Sequence, residues 1–473
     1  MNGRVYPDPT ALVARALASI DAWEARHPPF ARHTSLAVDE AALAAALDEY
    51  LVRLTAAPSG EAPGTYPFFH PRYAGQMLKP PHPVALAAYA AAQRLNPNNH
   101  ALDGGPPTGQ MEKEVVRDLG AMLGLPEDAL GHLTGGGTVA NLEALFVARE
   151  LAPGRAIAVS EDAHYTHARM AHVLGVEVVT VPADDAGRIR LDALEDVLRG
   201  GRVGTVVLTA GTTGLGAVDP LAEALPLARR YGARVHVDAA YGGFFTLLAQ
   251  PGAPALEGFP ATHFRAIADA DSVVIDPHKH GLQPYGCGAI LFRDPSVGRF
   301  YAHDSPYTYF SSDALHLGEI SLECSRPGAA AGALWLTLRV LPLTPAAGGL
   351  ADVLAAGLRA ARAWAALIQA EDSLALCAAP ETDIVAFAPR AATASGVDQA
   401  AQAVFDAALA SDDPLYLSLY RLASERLARR VSGLAADVPQ ARVLRSVLMK
   451  PEHEGAVPDL HARTCALAAH VSS

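Results

Sequence analysis

The sequence predicts an α/β protein organised around a mainly parallel sheet, and three observations predict it. Short apolar, β-branched runs recur from Ala156 to Arg293. Most are separated by stretches of about 10 to 15 residues with helical periodicity, the spacing of βαβ units. The runs are continuously apolar and do not alternate, as strands buried on both faces must be. With 473 residues the chain can bury a large core and divide into more than one packed unit.

Taken in order, the first 107 residues form a separate N-terminal segment. It contains helical stretches at Thr10–Arg26 and Asp39–Thr55, then a Pro- and aromatic-rich passage from Pro58 to Pro83. Residues 108–344 form the large central domain. There Met111, Val115, Leu119 and Met122 recur at helical spacing, with Thr108 as N-cap and Glu112 and Glu114 in the first turn. The predicted strands follow at Ala156–Ser160, Val176–Val181, Thr205–Thr209, Arg234–Asp238, Ser272–Asp276 and Ala289–Arg293, with a helix at Val139–Arg149 ahead of them. Residues 345–473 are alanine-rich and helical, with strands at Ile384–Phe387 and Val443–Met449, and read as a smaller α+β C-terminal domain. There is no internal repeat.

Composition removes several classes of function. A formal net charge of −13 repels nucleic acid and anionic membrane surfaces. The densest basic block, Arg421 to Arg430, includes Glu425 and reads as the solvated face of a helix. Cys287, Cys324, Cys377 and Cys465 are far apart and form no C-x-x-C pair, which argues against a zinc site or a disulfide framework and for reduced thiols in the cytoplasm. The apolar stretch Ala329–Leu343 is too short to span a bilayer and Met1–Thr10 has no signal core, so the expectation is a cytoplasmic protein without metal, membrane or nucleic-acid partner. Only four of the 37 basic residues are lysine (Lys79, Lys113, Lys279 and Lys450). Arginine cannot act as an amine nucleophile, so a lysine inside an apolar segment invites a chemical explanation.

Five short segments carry that chemistry. Leu133–Thr138, with Gly135, Gly136 and Gly137, precedes a helix; such a turn either cradles a phosphate on free N–H groups or is a plain flexible turn. Asp238 ends the strand in Val235–Gly243, at the carboxyl edge where ligands of open α/β sheets bind. A carboxylate there can hold a pyridinium nitrogen, with Ala240 flat against the ring, or can simply cap the next turn. The strand Ser272–Asp276 runs into His278 and Lys279; a buried amine there has a lowered pKa suited to imine formation, whereas the plain alternative is a surface lysine. His164, after the strand Ala156–Ser160, can stack on a flat cofactor or cap a helix. Ala210–Gly214, with Thr213, is a small-residue turn that offers hydroxyls or nothing more. Together, an anion cradle, an acid, stacking partners and a lysine at strand ends are what pyridoxal 5′-phosphate (PLP) requires.

The same residues resemble the group II PLP-dependent amino-acid decarboxylases, and within them the bacterial tyrosine decarboxylases. Asp276-Pro277-His278-Lys279, His236-Val237-Asp238-Ala239-Ala240-Tyr241-Gly242-Gly243, Leu95-Asn96-Pro97-Asn98-Asn99, Glu323-Cys324-Ser325-Arg326-Pro327-Gly328-Ala329 and Val443-Leu444-Arg445-Ser446 carry the resemblance, which runs from about Tyr66 to Pro451. It implies PLP fold-type I and a homodimer with active sites at the subunit interface. It implies Lys279 as the covalent anchor of the cofactor, Asp238 as partner of the ring nitrogen, and His164 and Ala240 on the two ring faces. Gly136, Gly137, Thr138 and His278 would hold the phosphate, Thr213 would sit near the anchor, and Ser325 to Gly328 would reach the phosphate of the partner subunit.

The implied reaction is loss of CO2 from an L-amino acid, with tyrosine or a related aromatic amino acid as substrate. Family members commonly protonate Cα with a tyrosine on a closing loop, here near Asp304–Phe310, which makes Tyr307 and Tyr309 candidates; loop packing is their plain alternative. His70, Tyr73, Asn99 and His100 are candidates for the substrate pocket. An acidic substrate such as aspartate would want a guanidinium from Arg72 or Arg445. An aldehyde lyase, an aminotransferase and a non-catalytic PLP-binding protein are the remaining alternatives.

Overall fold

The computed structural model describes residues 5–56, 64–101, 103–302, 318 and 321–472. Its central sheet has seven strands: β1 (Leu130–Thr134), β2 (Ala156–Ser160), β3 (Val178–Val181), β4 (Val203–Thr209), β5 (Arg234–Asp238), β6 (Ser272–Ile275) and β7 (Gly288–Phe292). Their order is β1-β7-β6-β5-β4-β2-β3. The five strands from β6 to β3 run parallel, and β7 pairs antiparallel with both β6 and β1. The reversal has a local cause: β6 and β7 are joined by the turn that carries Lys279, with no crossover helix between them. All seven residues of β4 are buried, as a continuously apolar strand predicts.

Four of the six predicted strands lie within one residue of their expected bounds. β1 was not anticipated, because Gly131 and His132 deprive it of a β-branched signature. The helix after the glycine turn is α5 (Gly137–Leu151), following α1 (Pro9–Glu24), α2 (Glu40–Thr55), α3 (Pro83–Leu95) and α4 (Pro106–Leu123). Thr108 does not cap α4: the helix starts earlier, on Pro106 and Pro107, whose fixed φ suits a first turn. Thr108 is buried and its hydroxyl donates to Asn99 Oδ1 at 2.6 Å.

A second, antiparallel sheet has the order β10-β11-β9-β8, from β8 (Leu374–Leu376), β9 (Ile384–Pro389), β10 (Ser418–Ala423) and β11 (Gln440–Val447). The basic block at 421–430 is not one solvated helix face. Arg421 lies in β10, and Arg426 is buried and holds Asp162 in a two-pronged ion pair at 3.0 and 2.8 Å. That pair draws the block inward against the large sheet. Among the described residues no helix is long and apolar enough to cross a membrane. All four cysteines are free thiols.

Candidate active site

The carboxyl ends of β2, β4, β5 and β6 open onto one cavity of about 380 Å³, within the range of small-molecule sites. Gly136, Gly137, Thr138, His164, Thr213, Asp238, Ala240, His278 and Lys279 all line it. One feature of parallel sheets explains the convergence: every strand delivers its following loop to the same edge.

Asp238 is the last residue of β5 and is buried. His167 Nε2 donates to its Oδ2 at 2.8 Å, the Ala240 N–H to its Oδ1 at 3.1 Å, and Asn141 Nδ2 lies 3.5 Å from Oδ2. Burial alone would raise this carboxyl; the His167 hydrogen bond and charge, joined by Lys279, outweigh it and hold the group well below the usual carboxylate range. Behind it stands a second row: His236 Nε2 donates to Asn141 Oδ1 at 2.9 Å, and His236 Nδ1 accepts from Ser272 Oγ at 2.8 Å. Burial pushes His236 down to about 3, so this ring stays neutral and keeps one tautomer. His167 and Asn141 were not singled out from sequence. A usable signal existed for the first: His167, in the first turn of α6 (Thr166–Leu174), follows His164 by three residues.

Lys279 Nζ lies 3.1 Å from Asp276 Oδ2, and its side chain is 21% exposed, towards the cavity. Asp276 also lies 3.5 Å from His278 Nε2, while its Oδ1 is buried without a partner. The expectation of one exceptional buried lysine needs correction. Lys79 and Lys450 are also drawn inside, donating to Met449 O and Tyr73 O, and burial pushes their amines down to about 8 and about 7. Lys279 is set apart by the cavity, not by burial. Burial does lower His164 and His278, which favours neutral rings at neutral pH.

Other expected residues fall elsewhere. His70, Tyr73, Asn99 and His100 do not line the cavity. Asn99 is spent on structure: its amide donates to Glu112 Oε2 at 2.7 Å, inside a buried ion pair of Glu112 with Arg326. Tyr73 packs among Tyr66, Phe68 and Tyr416. His70 is exposed and accepts from the Arg72 N–H. Ser325 and Gly328 are outside the cavity lining of this single chain, tied to Asn98 and to Pro97 O. Tyr307 and Tyr309 lie outside the described residues.

The residues present fit a phosphorylated pyridine. α5 begins at Gly137 with no side chain capping it, which leaves its first N–H groups for an anion. Gly136 has φ +144°, a conformation that favours glycine. A Cβ on Gly137 would stand 2.8 Å from Asp276 Oδ2 and 3.3 Å from Ala240 Cβ, filling the cradle. His278 Nδ1 is buried with no partner. At the other end waits an ionised carboxylate, the complement of a pyridinium.

Residues 67–390 match the family model of the pyridoxal-dependent decarboxylase conserved domain. The chain is 32% identical over 271 residues to a probable L-tyrosine/L-aspartate decarboxylase of Methanothermobacter thermautotrophicus, spanning 57% of this chain and 70% of that protein. It is 29% identical over 385 residues to the L-tyrosine decarboxylase of Enterococcus faecium, spanning 62% of each. The crystal structure of Oryza sativa TDC with PLP and tryptamine superposes with a TM-score of 0.75 at 19% identity, covering 98% of this chain and 99% of that one. The fold is therefore that of the fold-type I PLP enzymes, as the resemblance implied. A match over most of the chain, with a cavity that suits the cofactor, leads to one conclusion: the chain belongs to the pyridoxal-dependent decarboxylase family, enzymes that release CO2 from amino acids with PLP as cofactor.

Proposed function

We propose that this chain decarboxylates an L-amino acid to the amine and CO2, with tyrosine or a related aromatic amino acid as substrate. The observation that carries the reading is a single cavity that collects Lys279, Asp238, His164 and the glycine start of α5. When bound, PLP supplies an electron sink for the pair left behind by CO2. Lys279 is the amine that would anchor the cofactor. Asp238, held ionised by His167, would partner the ring nitrogen and favour its protonated form. His164 and Ala240 would flank the ring, and Thr213 would stand near the anchor. Gly136, Gly137, Thr138 and His278 hold the phosphate. Protonation of Cα falls to Tyr307 or Tyr309.

The proposal includes a homodimer, in which Ser325 and Gly328 reach the partner's phosphate and His70, Tyr73 and His100 help line the substrate pocket; Asn99, whose amide is taken up by Glu112 and Thr108, is dropped from that set. Support comes from α2, which buries none of its residues and leaves Leu43, Leu47, Tyr50, Leu51 and Leu54 exposed. In this division residues 1–107 make dimer contacts, 108–344 bind the cofactor and 345–473 form the smaller unit. We place the enzyme in the cytoplasm, where its four free thiols remain reduced.

A second reading, aspartate as substrate, is favoured by Arg445. Its guanidinium is buried, donates to Ser418 Oγ at 3.3 Å, and leaves Nε and one terminal nitrogen without partners beside the cavity-lining Tyr241. Arg72, by contrast, is taken up by Asp413 and Asp459. The test is a panel of the twenty amino acids with CO2 and amine detected separately. Tyramine from tyrosine supports the first reading and β-alanine from aspartate the second. Amino-acid turnover without CO2 release would sink both. In the same preparation borohydride should fix the cofactor to Lys279, and Lys279→Ala should abolish turnover.

A further inference from the structure

The cysteines lie too far apart in sequence for a C-x-x-C metal motif. Folding brings a different set together. The C-terminal helix α14 (His453–Ser472) carries His461 and Cys465 one turn apart, hence on one face. Glu371 stands at the end of α11 (Leu350–Gln369), against which α14 packs. The candidate ligand atoms of Glu371, His461 and Cys465 all lie within 4.8 Å of one another, and all three residues are partly accessible.

The distances decide what this cluster can do. Around tetrahedral Zn2+, with Zn–S near 2.3 Å and Zn–N or Zn–O near 2.0 Å, a thiolate sulfur and its neighbouring donor sit about 3.5 Å apart. Cys465 Sγ lies 3.5 Å from His461 Nε2, 3.8 Å from His461 Nδ1 and 3.6 Å from Glu371 Oε2. Two edges of the tetrahedron thus already have the bonded spacing, and a turn of the His461 ring about its own side-chain bond aims Nε2 at the shared ion. The carboxylate is also oriented: its Oε1 accepts from the Ser373 N–H at 3.3 Å and from Ser373 Oγ at 3.0 Å, which turns Oε2 towards the thiol. Such outer hydrogen bonds are how metal sites fix their ligands. The same geometry argues against a nucleophilic triad, where the carboxylate must orient the imidazole and not face the sulfur.

We propose that Glu371, His461 and Cys465 form a Zn2+ site, with three protein ligands and water in the fourth position. Zn2+ replaces the proton of the Cys465 thiol, which passes to solvent, and no other bond changes. Thiolate, imidazole and carboxylate together select a borderline divalent cation over Mg2+ or Ca2+. Bound there, the ion clips the C-terminal helix to the turn that feeds β8, outside the lining of the PLP cavity.

The test uses the PLP-loaded protein with Co2+ as spectroscopic probe and Zn2+ as competitor. The expected result is one equivalent of Co2+ with a sulfur-to-metal charge-transfer band, abolished by added Zn2+. Cys465→Ser should remove the band, and both it and His461→Ala should weaken Zn2+ binding by on the order of a hundredfold or more; Ser373→Ala should weaken it by on the order of tenfold. Cys324→Ser, which removes an exposed thiol elsewhere, should change nothing. Zn2+ should also raise the melting temperature of the wild type but not of Cys465→Ser, while the PLP absorbance of both stays the same. A missing band, or one that survives Cys465→Ser, overturns the proposal.

Discussion

Replacing His167 by alanine tests how Asp238 is kept charged. The imidazole is buried, 1% exposed, and its Nε2 donates to Asp238 Oδ2 at 2.8 Å. Without it Asp238 retains the Ala240 N–H at 3.1 Å and a marginal contact to Asn141 at 3.5 Å. A hydrogen bond to a charged group contributes about 1.5–3 kcal/mol. At 1.36 kcal/mol per pKa unit, its loss raises the Asp238 carboxyl by about one to two units. The carboxylate stays ionised but loses the donor that fixes its orientation, so it would hold the proton of the ring nitrogen less firmly, and turnover should fall about 10- to 150-fold. PLP binding to the apoprotein should weaken in the same direction. His167→Gln, whose amide N–H can reach the carboxylate, should recover part of the loss. The assay is steady-state CO2 release together with PLP titration, run as a double-mutant cycle with Asp238→Asn. Turnover of His167→Ala within about twofold of wild type, or losses that simply add in the double variant, would refute the reasoning.

Gly137→Ala places a Cβ 2.8 Å from Asp276 Oδ2; overpacking of about 1–3 kcal/mol should weaken PLP binding about 5- to 150-fold by titration, and unchanged affinity would remove the cradle. Burial pushes Lys450 down to about 7, below the ordinary lysine value. Between pH 7 and 9 the unfolded chain therefore holds a proton that the folded chain has released, and stability rises with pH. The wild type should gain on the order of 1 kcal/mol per pH unit relative to Lys450→Met in urea unfolding over that range; parallel curves would show that the amine is not buried as described. Leu47→Asp with Leu51→Asp, on the exposed face of α2, should convert the dimer to monomer by sedimentation, and an unaltered assembly would move the interface elsewhere.

The sheet and the cavity floor were legible because their causes are local. Apolar runs such as Val203–Thr209 must be buried on both faces, and a parallel sheet must send the loops of Asp238, Thr213, His164 and Lys279 to one edge. What stayed hidden depends on contacts between distant residues. Nothing local distinguishes Lys450, which is buried over the Tyr73 ring, from an exposed lysine. Asn99 reads as a pocket residue until Glu112 and Thr108 are seen to use up its amide. Arg426 reads as solvated until Asp162 closes on it. His461 and Cys465 advertise a helix face, but the carboxylate that completes the set lies at Glu371, on another element.

The smaller sheet has a role in the site that follows from three consecutive residues. Just ahead of β9, Glu381 accepts from the Val218 N–H at 2.8 Å, and Thr382 Oγ1 donates to Gly216 O at 3.1 Å. Next, Asp383 Oδ2 lies 2.9 Å from His280 Nε2, and the Tyr241 hydroxyl donates to Asp383 Oδ1. His280 closes the ring with its Nδ1 3.0 Å from Tyr241 O. Burial would raise Asp383, but His280, Tyr241 and Lys79 outweigh it and keep it a carboxylate. Residues 381–383 therefore grip the loops after β4, β5 and β6, the same loops that present Thr213, Ala240 and Lys279 to the cavity. Breaking a buried, hydrogen-bonded charge costs several kcal/mol, so the three loops cannot shift independently of the second sheet. Precision at the cavity is thus set partly by residues more than a hundred positions away in the chain, and the segment leading into the smaller sheet works as a clamp on the catalytic edge.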